Sequence, residues 1–262
     1  MEDKQVNNIF SVDANATLIL ENLNVTTVQI EEGSQNQVQV QIEGDENKDI
    51  SVTEENGTIT IKGSQKLSNS NTMVINGNSV MMTGNGMTIV NGVIFGGRVS
   101  GRVIVNGVDV TSQANNSPLP PEISIKVFVP TGTDLEVEDS NVTARSTFKL
   151  GSVQINNSDQ CEVRLGKVAE IDVHCSGQCV TVVTVDSGKV KVDLSGQSKF
   201  QASGVFTSVT ADVSGQSSSN TSGRVKNDYR ANASGQSSIN HNGEVLGRVR
   251  EKSSGQSSVN IN

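Results

Sequence analysis

The chain has 262 residues, of which 34% are hydrophobic and only 3% aromatic, and its formal net charge is −8. This acidic balance, without a basic cluster, excludes duplex DNA and anionic membrane surfaces as general partners, and no apolar run approaches the length of a bilayer span. So few large apolar side chains are typical of a thin, elongated fold, in which each layer buries only the side chains between its own strands.

The N-terminal stretch MEDKQVNNIF is acidic and polar and lacks the apolar segment of a secretory signal. The default prediction for the compartment is therefore the cytosol. The alternative is an exported protein whose targeting segment is absent from this sequence.

The first predicted elements are β-strands in residues 1–62. The stretches ATLILENLNVTTVQIEEG and DISVTEENGTITIKG alternate apolar and polar residues, and Gly-containing turns separate them. We predict that this segment either covers the first end of the main stack or forms its opening coils.

Residues 63–121 differ in composition and are predicted to be an insertion. They are rich in Asn, Gly and Met, and the motifs VING, IVNGV and IVNGVDV recur before an extended connector, NNSPLPPE. Asn-Gly favours tight hairpin turns, so projecting hairpins that carry function are one interpretation. A mobile insertion without a specific role is the other.

Residues 122–262 contain an internal repeat. The tripeptide Ser-Gly-Gln begins at Ser176, Ser195, Ser214, Ser234 and Ser254, a spacing of 19 or 20 residues, and SDQC at 158–161 extends it backward by 18 residues. A period near 20 residues indicates a solenoid. We therefore predict an all-β fold, a single-stranded parallel β-helix of about 18–20 residues per coil.

Alignment of the coils sorts the strand before each tripeptide into inward and outward files, because residues in a strand alternate between its two faces. One inward file is Leu135, Val153, Ile171, Val190, Val209, Tyr229 and Val249; the outward files contain Lys191, Thr210, Arg230 and Arg250, then Asp193, Asp212, Asn232 and Lys252. The sorting of apolar from charged residues over several coils favours in-register stacking.

The tripeptide also predicts a column of stacked side-chain amides. Its members are Gln160, Gln178, Gln197, Gln216, Gln236 and Gln256. Amides in such a column can hydrogen-bond along it, which makes the motif a structural corner and ladder. The alternative is a row of amides and hydroxyls that binds a polymeric ligand.

These features resemble a known family, the putative auto-transporter adhesin head domain (head GIN) family, and related putative-adhesin β-strand-repeat proteins. The resemblance rests on NGTITIKG, ISIKVFVPTGTDLEVED and the DLSGQS-type repeats, and covers residues 10–62 and 122–262. It implies a parallel β-helix, usually right-handed, and an adhesin-like role, and it supplies no catalytic residues. Members are often exported.

A search for chemistry finds no predicted catalytic, cofactor-binding or metal site. Cys175 aligns with core positions, and Cys161 and Cys179 share a column, so buried free thiols are the default and a Cys161–Cys179 disulfide is the alternative. A zinc site requires four converging ligands, and strand alternation sends His174 away from Cys175. His174 and Asp193 form a predicted outward pair.

The last coil becomes polar on its inward side, where Glu251 and Ser253 replace apolar residues. Either these groups blunt an open end or the end stacks against another copy through Ser254, Val259 and Ile261. The leading interpretation of the whole chain is a non-enzymatic scaffold for adhesin-like binding of a glycan or protein ligand, or for self-assembly. The alternative is a polysaccharide-processing enzyme, which requires acidic residues that converge in a cleft.

Overall fold

The structure is a computed structural model that describes residues 5–12, 16–23, 27–43, 50–63, 72–76, 79–83, 88–90, 93–95, 104–105, 108–109, 124–144, 148–158 and 160–262. Contacts divide the chain into two units. The first comprises Met1–Lys66 and Ile123–Asn262, and the second comprises Leu67–Glu122. Within the described residues, no helix is long and apolar enough to cross a membrane.

The N-terminal part of the first unit forms six strands. They are β1 (Gln5–Ser11), β2 (Thr17–Glu21), β3 (Thr27–Glu32), β4 (Gln37–Glu43), β5 (Ile50–Glu55) and β6 (Thr58–Gly63). In β2 and β4 every second residue is buried, as the sequence alternation predicts for strands with one face on a core.

The second unit contains three antiparallel strand pairs among the described residues. Its strands are β7 (Thr72–Asn76), β8 (Ser79–Thr83), β9 (Thr88–Val90), β10 (Val93–Phe95), β11 (Ile104–Val105) and β12 (Val108–Asp109). Strand β7 pairs with β8, β9 pairs with β10, and β11 pairs with β12. The connecting residues lie outside the described residues, and whether these hairpins carry function stays a prediction.

The rest of the first unit forms the repeated coils. Its strands are β13 (Ser124–Val129), β14 (Asp134–Glu138), β15 (Asn141–Ala144), β16 (Lys149–Asn157), β17 (Glu162–Cys175), β18 (Val180–Leu194), β19 (Lys199–Val213), β20 (Ser218–Val225), β21 (Tyr229–Ala233), β22 (Ser238–Asn242), β23 (Val249–Ser253) and β24 (Ser258–Ile261).

The strands of the first unit stack in two lines. The first line runs β5–β6–β2–β14–β16–β17–β18–β19–β21–β23, and the second runs β1–β4–β13–β3–β15–β17–β18–β19–β20–β22–β24. The long strands β17, β18 and β19 bend and contribute to both lines. The predicted β-solenoid is confirmed, and its handedness stays a prediction.

The N-terminal segment both starts the stack and covers it. Strands β2, β3 and β6 pair in parallel with their neighbours, so they continue the solenoid. Strands β1, β4 and β5 instead pair antiparallel with an adjacent strand. Apolar and polar residues alternate in the same way in parallel and antiparallel strands. The sequence therefore does not distinguish the strands that continue the solenoid from those that cover its end.

The register of the predicted inward file is confirmed, but its last member, Val249, is 43% exposed at the edge of the stack. Val190 pairs with Val209, Val209 with Tyr229, and Tyr229 with Val249. Every member of this file from Leu135 to Tyr229 is buried. Identical spacing in successive coils therefore places like side chains on top of one another, and this repetition builds the core.

Glycine recurs at the second bend of each late coil because the backbones approach closely there. Gly204, Gly223 and Gly243 lie in register, and all three have positive φ (131°, 129° and 146°). A Cβ atom on Gly223 or Gly243 would collide with the carbonyl oxygen of the glycine in the preceding coil. Only glycine satisfies both the dihedral angle and the missing space.

Candidate functional site

The glutamines of the repeated tripeptide lie in a column along the stack. The Gln160 amide donates to the Gln178 carbonyl oxygen at 3.0 Å, and three further bonds of 3.2–3.3 Å run from Gln197 through Gln216 and Gln236 to Gln256. The backbone supports this column, since each glutamine N–H from Gln197 onward donates to the glycine carbonyl of the preceding coil.

A second column of amides lies four residues further along each coil. Asn240 donates to Asn220 and Asn260 donates to Asn240, both at 3.0 Å, and Gln201 occupies the same position in the coil before. This file was not predicted from the sequence. The available signal was an Asn four residues after the Gln in each of the last three coils.

Together these columns form one uncharged surface, which we call the amide face. It consists of Gln197, Gln216, Gln236 and Gln256, the outward serines Ser218, Ser238 and Ser258, and Asn220, Asn240 and Asn260. Its repeat along the stack is about 4.8 Å, the spacing of neighbouring strands. Each amide in a ladder keeps a second N–H and a second lone pair for another partner.

The serine after each glutamine holds the corner that presents the amide face. Ser237 Oγ accepts a hydrogen bond from the Ser234 N–H at 3.1 Å and lies 3.0 Å from the Val213 carbonyl oxygen of the preceding coil. Ser257 repeats the arrangement with the Ser254 N–H and the Ala233 carbonyl oxygen. The Ser-Gly-Gln-Ser unit is thus a turn closed by its last side chain.

The strand before each tripeptide presents a different, charged surface. In one outward file, Lys191 Nζ lies 2.9 Å from Asp172. In the neighbouring outward file, Asn232 donates to Asp212. This surface carries charged side chains, and Lys191 and Asp172 form an ion pair between adjacent coils there. The amide face is therefore chemically distinct from its neighbour.

A groove of about 400 Å³ lies beside the first tripeptide corner, and Glu138, Asp139, Asn157, His174 and Asp193 are among the residues that line it. The Asp139 carboxylate accepts hydrogen bonds from the backbone N–H (2.6 Å) and the hydroxyl (2.9 Å) of Ser158. The predicted pair has a His174 Nδ1–Asp193 distance of 3.9 Å. Asp139 therefore holds the corner and leaves Glu138 and Asp193 as the outward carboxylates.

The three cysteines are buried, and none of them is joined to another by a disulfide. Cys179 Sγ lies 3.6 Å from the Asn157 carbonyl oxygen, and a hydrogen bond to Cys179 together with burial raises the pKa of the Cys175 thiol. Among the described residues, no group of three potential ligands converges on a metal position. The three thiols are part of the hydrophobic core, where they pack as small side chains.

Polar groups also enter the core of the late coils. Thr221 Oγ1 lies 3.0 Å from both the Tyr229 hydroxyl and His241 Nδ1, and the two rings are 5.0 Å apart between centroids. Burial lowers the pKa of the His241 imidazole from its ordinary 6.5, because the charged ring loses its hydration. Burial also raises the pKa of the Tyr229 hydroxyl.

We expect this histidine to make folding stability depend on pH. Above pH 6.5 the ring is neutral in both states; as the pH falls below 6.5 towards the lower folded pKa, only the unfolded chain takes up the proton, so stability is lost. A single proton limits the slope to about 1.4 kcal/mol per pH unit. Urea unfolding at a series of pH values measures it.

His241→Gln should flatten this dependence, because glutamine can still bond Thr221 and does not titrate. His174→Gln is the matched control, since the chain has two histidines and the His174 side chain is 40% exposed, whereas His241 is buried. An unchanged pH slope in His241→Gln, or its loss in His174→Gln, would show that His241 is not the group responsible.

Comparison with known proteins identifies the class to which this solenoid belongs. The family described as "Putative auto-transporter adhesin, head GIN domain" matches residues 101–262, so the chain belongs to this family and the predicted resemblance is confirmed. A comparison with curated proteins gave no match.

One solved structure supports the same fold, and a second is also similar. A "putative adhesin" from Parabacteroides merdae ATCC 43184 is similar over 99% of this chain and 96% of its own, with 12% identity and a TM-score of 0.50. A "putative adhesin" from Parabacteroides distasonis ATCC 8503 aligns over 100% and 98%, with 12% identity and a TM-score of 0.49. At 12% identity, the likeness to the Parabacteroides merdae protein concerns the fold alone.

Proposed function

We propose that the protein is a non-enzymatic β-solenoid scaffold that binds a hydroxyl-rich polymer, such as a glycan, through its amide face in the manner of an adhesin. One observation carries this proposal: two hydrogen-bonded files of uncharged amides, Gln197 to Gln256 and Asn220 to Asn260, run side by side along successive coils. The adhesin family to which the chain belongs supports a binding role.

The chemistry of the amide face suits sugar hydroxyls. A hydroxyl is both donor and acceptor, and each ladder amide retains one donor and one acceptor position of its own. The ladder bonds fix the side chains in advance, so little conformational freedom is lost when a ligand binds. Weak contacts repeated in each coil add up along an extended chain.

The enzyme alternative is not favoured. The groove at Glu138, His174 and Asp193 is the place where it would apply, but its third carboxylate, Asp139, is already committed to Ser158. The family description and the similar structures name adhesins rather than enzymes. The auto-transporter description also supports an exported location over the cytosolic default.

The test of ligand binding starts from a broad glycan array, followed by calorimetry with a soluble oligosaccharide that scores on it. We expect Asn220→Ala with Asn240→Ala to weaken binding by about tenfold or more, since each lost hydrogen bond contributes about 1 kcal/mol. Lys191→Ala with Arg230→Ala changes the charged surface instead and is the matched control. Equal losses in both variants, or cleavage of the oligosaccharide in a turnover assay, would contradict the proposal.

We also propose that copies of the chain associate through the last coil, which contains Ser254, Val259 and Ile261. Val259 and Ile261 are only partly buried although they face inward, so the coil offers apolar surface to a partner. Light scattering should show a mass that rises with concentration. A chain truncated after Gly247 should lose this rise, and a constant monomeric mass of the full chain would reject association.

A further inference from the structure

The strand lines of the first unit have two edges, and both expose apolar side chains. The N-terminal edge consists of β1 and β5, and the C-terminal edge consists of β23 and β24; among the described residues each of these strands has a pairing strand on one side only. The exposed large hydrophobic residues of the described chain are Ile9 (60% exposed), Leu246 (58%) and Val249 (43%). One lies in β1, and the other two lie in or next to β23.

The half-buried apolar residues show the same distribution. Those that pack against the core but remain partly exposed are Phe10, Ile50, Val52, Val245, Val259 and Ile261. The first three belong to the N-terminal edge, and the last three belong to the final layer at the C-terminal edge. Among the residues that pack against the core, incomplete burial is therefore found at the two edges, where another layer would complete it.

Charge distinguishes the two edges. Strand β23 and the residue before it contribute Arg248, Arg250 and Lys252 against one acidic residue, Glu251, and all of β23 is exposed. Strand β5 ends in the exposed pair Glu54 and Glu55 and contains no cation. Contact between two C-terminal edges or between two N-terminal edges brings like charges together, whereas contact between unlike edges brings opposite charges together.

The direction of the edge strands also permits contact between a C-terminal edge and an N-terminal edge. Strand β4 is antiparallel to both β1 and β13, so β1 runs parallel to β13 and to the line that ends in β24. A second copy in the same orientation therefore continues the sheet, with its β1 parallel to β24. Following the paired residues along this line places Val6 of β1 in the same inward file as Val259.

We propose that the C-terminal edge of one copy binds the N-terminal edge of another, so that the solenoid extends head to tail. This inference rests on the proposed self-association and specifies its geometry. Contact between two different surfaces does not close on itself as a two-fold dimer does, so it generates open chains of copies. Added salt weakens the association, because it screens the unlike charges of the edges.

Two variants of the full 262-residue chain test this arrangement. An N-edge variant, Ile9→Lys with Glu55→Lys, makes that edge basic. A C-edge variant, Val249→Glu with Arg250→Glu, makes the other edge acidic. These four side chains are exposed, and circular dichroism and thermal melting verify that both variants fold. Sedimentation velocity then compares the wild type, each variant alone, and an equimolar mixture.

Head-to-tail association predicts that the wild type forms a ladder of species and that each variant alone needs at least about tenfold higher concentration to associate. The equimolar mixture should associate again, because the intact basic C-terminal edge of one variant meets the intact acidic N-terminal edge of the other, and the two altered edges also carry opposite charges. If the N-edge variant alone forms dimers, two C-terminal edges meet, and the head-to-tail geometry is wrong although self-association stands. Dimers of the C-edge variant alone would overturn it in the same way. A monomeric wild type at all concentrations rejects association itself, and the oligosaccharide binding test is unaffected.

Discussion

Replacement of Gly223 with alanine is expected to destabilise the late coils by roughly 2–6 kcal/mol. Gly223 has a φ of 129°, a conformation that L-residues rarely adopt, which costs about 1–3 kcal/mol for a side chain there. The added methyl group would also meet the carbonyl oxygen of Gly204, and backbone cannot move aside as a flexible side chain does. The coils would have to separate locally, at a further cost of about 1–3 kcal/mol.

Gly57→Ala is the matched control for this effect. Gly57 also has a positive φ, 80°, but no atom lies within 4 Å of the position that its Cβ would occupy. It therefore isolates the cost of the dihedral angle, about 1–2 kcal/mol. Urea unfolding of the two variants compares them directly. If Gly57→Ala proves as destabilising as Gly223→Ala, close stacking of the glycine backbones makes no contribution.

The register of the solenoid is the property that the sequence predicts best. The spacing of Ser-Gly-Gln places Val190, Val209 and Tyr229 in one file, and the structure pairs them accordingly. This succeeds because a parallel stack with nearly constant coil length has only one register that keeps apolar residues on the same side. Once the corner is fixed, strand alternation assigns every inward and outward position between corners.

The contacts at the surface and at the bends are less predictable from the sequence. Repeat spacing and strand alternation order the residues into files, but they do not show which files form hydrogen bonds between coils. The ladder of Asn220, Asn240 and Asn260 was therefore not predicted. At one bend the left-handed residue is Ser187, with a φ of 65°, although Gly188 is the next residue in the chain. Gly188 is required for another reason, since a Cβ there would collide with the Ala169 carbonyl. A glycine in the sequence indicates a bend, but it does not show whether a positive φ or a close backbone contact requires the glycine.

The polar core of the late coils was also only partly predictable. The inward positions of Ser219, Thr221 and His241 follow from alternation, and the structure buries all three. Thr221 and His241 are paired residues of adjacent coils, so their contact follows from the register. The contact between Thr221 and Tyr229 joins two strands that face one another across the core, and periodicity within a strand does not predict it. Contacts across the core require the three-dimensional path of the coil.

Tyr229→Ala should cause a loss of about 3–5 kcal/mol in the free energy of unfolding. Tyr229 is among the largest fully buried side chains, and it stacks between Val209 and Val249 in the inward file. Its truncation leaves a void between coils whose backbones are fixed by parallel pairing on both sides, so the surroundings cannot collapse to fill it. The ring contact with His241 is lost as well.

Two further variants separate the contributions of Tyr229. Tyr229→Phe keeps the ring and removes the hydroxyl that bonds Thr221, and it should cost about 1 kcal/mol because Thr221 retains its contact with His241. Arg230→Ala, at the exposed neighbouring position of the same strand, should change stability by no more than about 0.5 kcal/mol. Because coils stabilise mainly their direct neighbours, the loss in Tyr229→Ala should appear first as early unfolding of the last coils, and hydrogen exchange of their amides measures it. Uniform exchange along the whole stack would instead indicate that the solenoid unfolds as one cooperative unit.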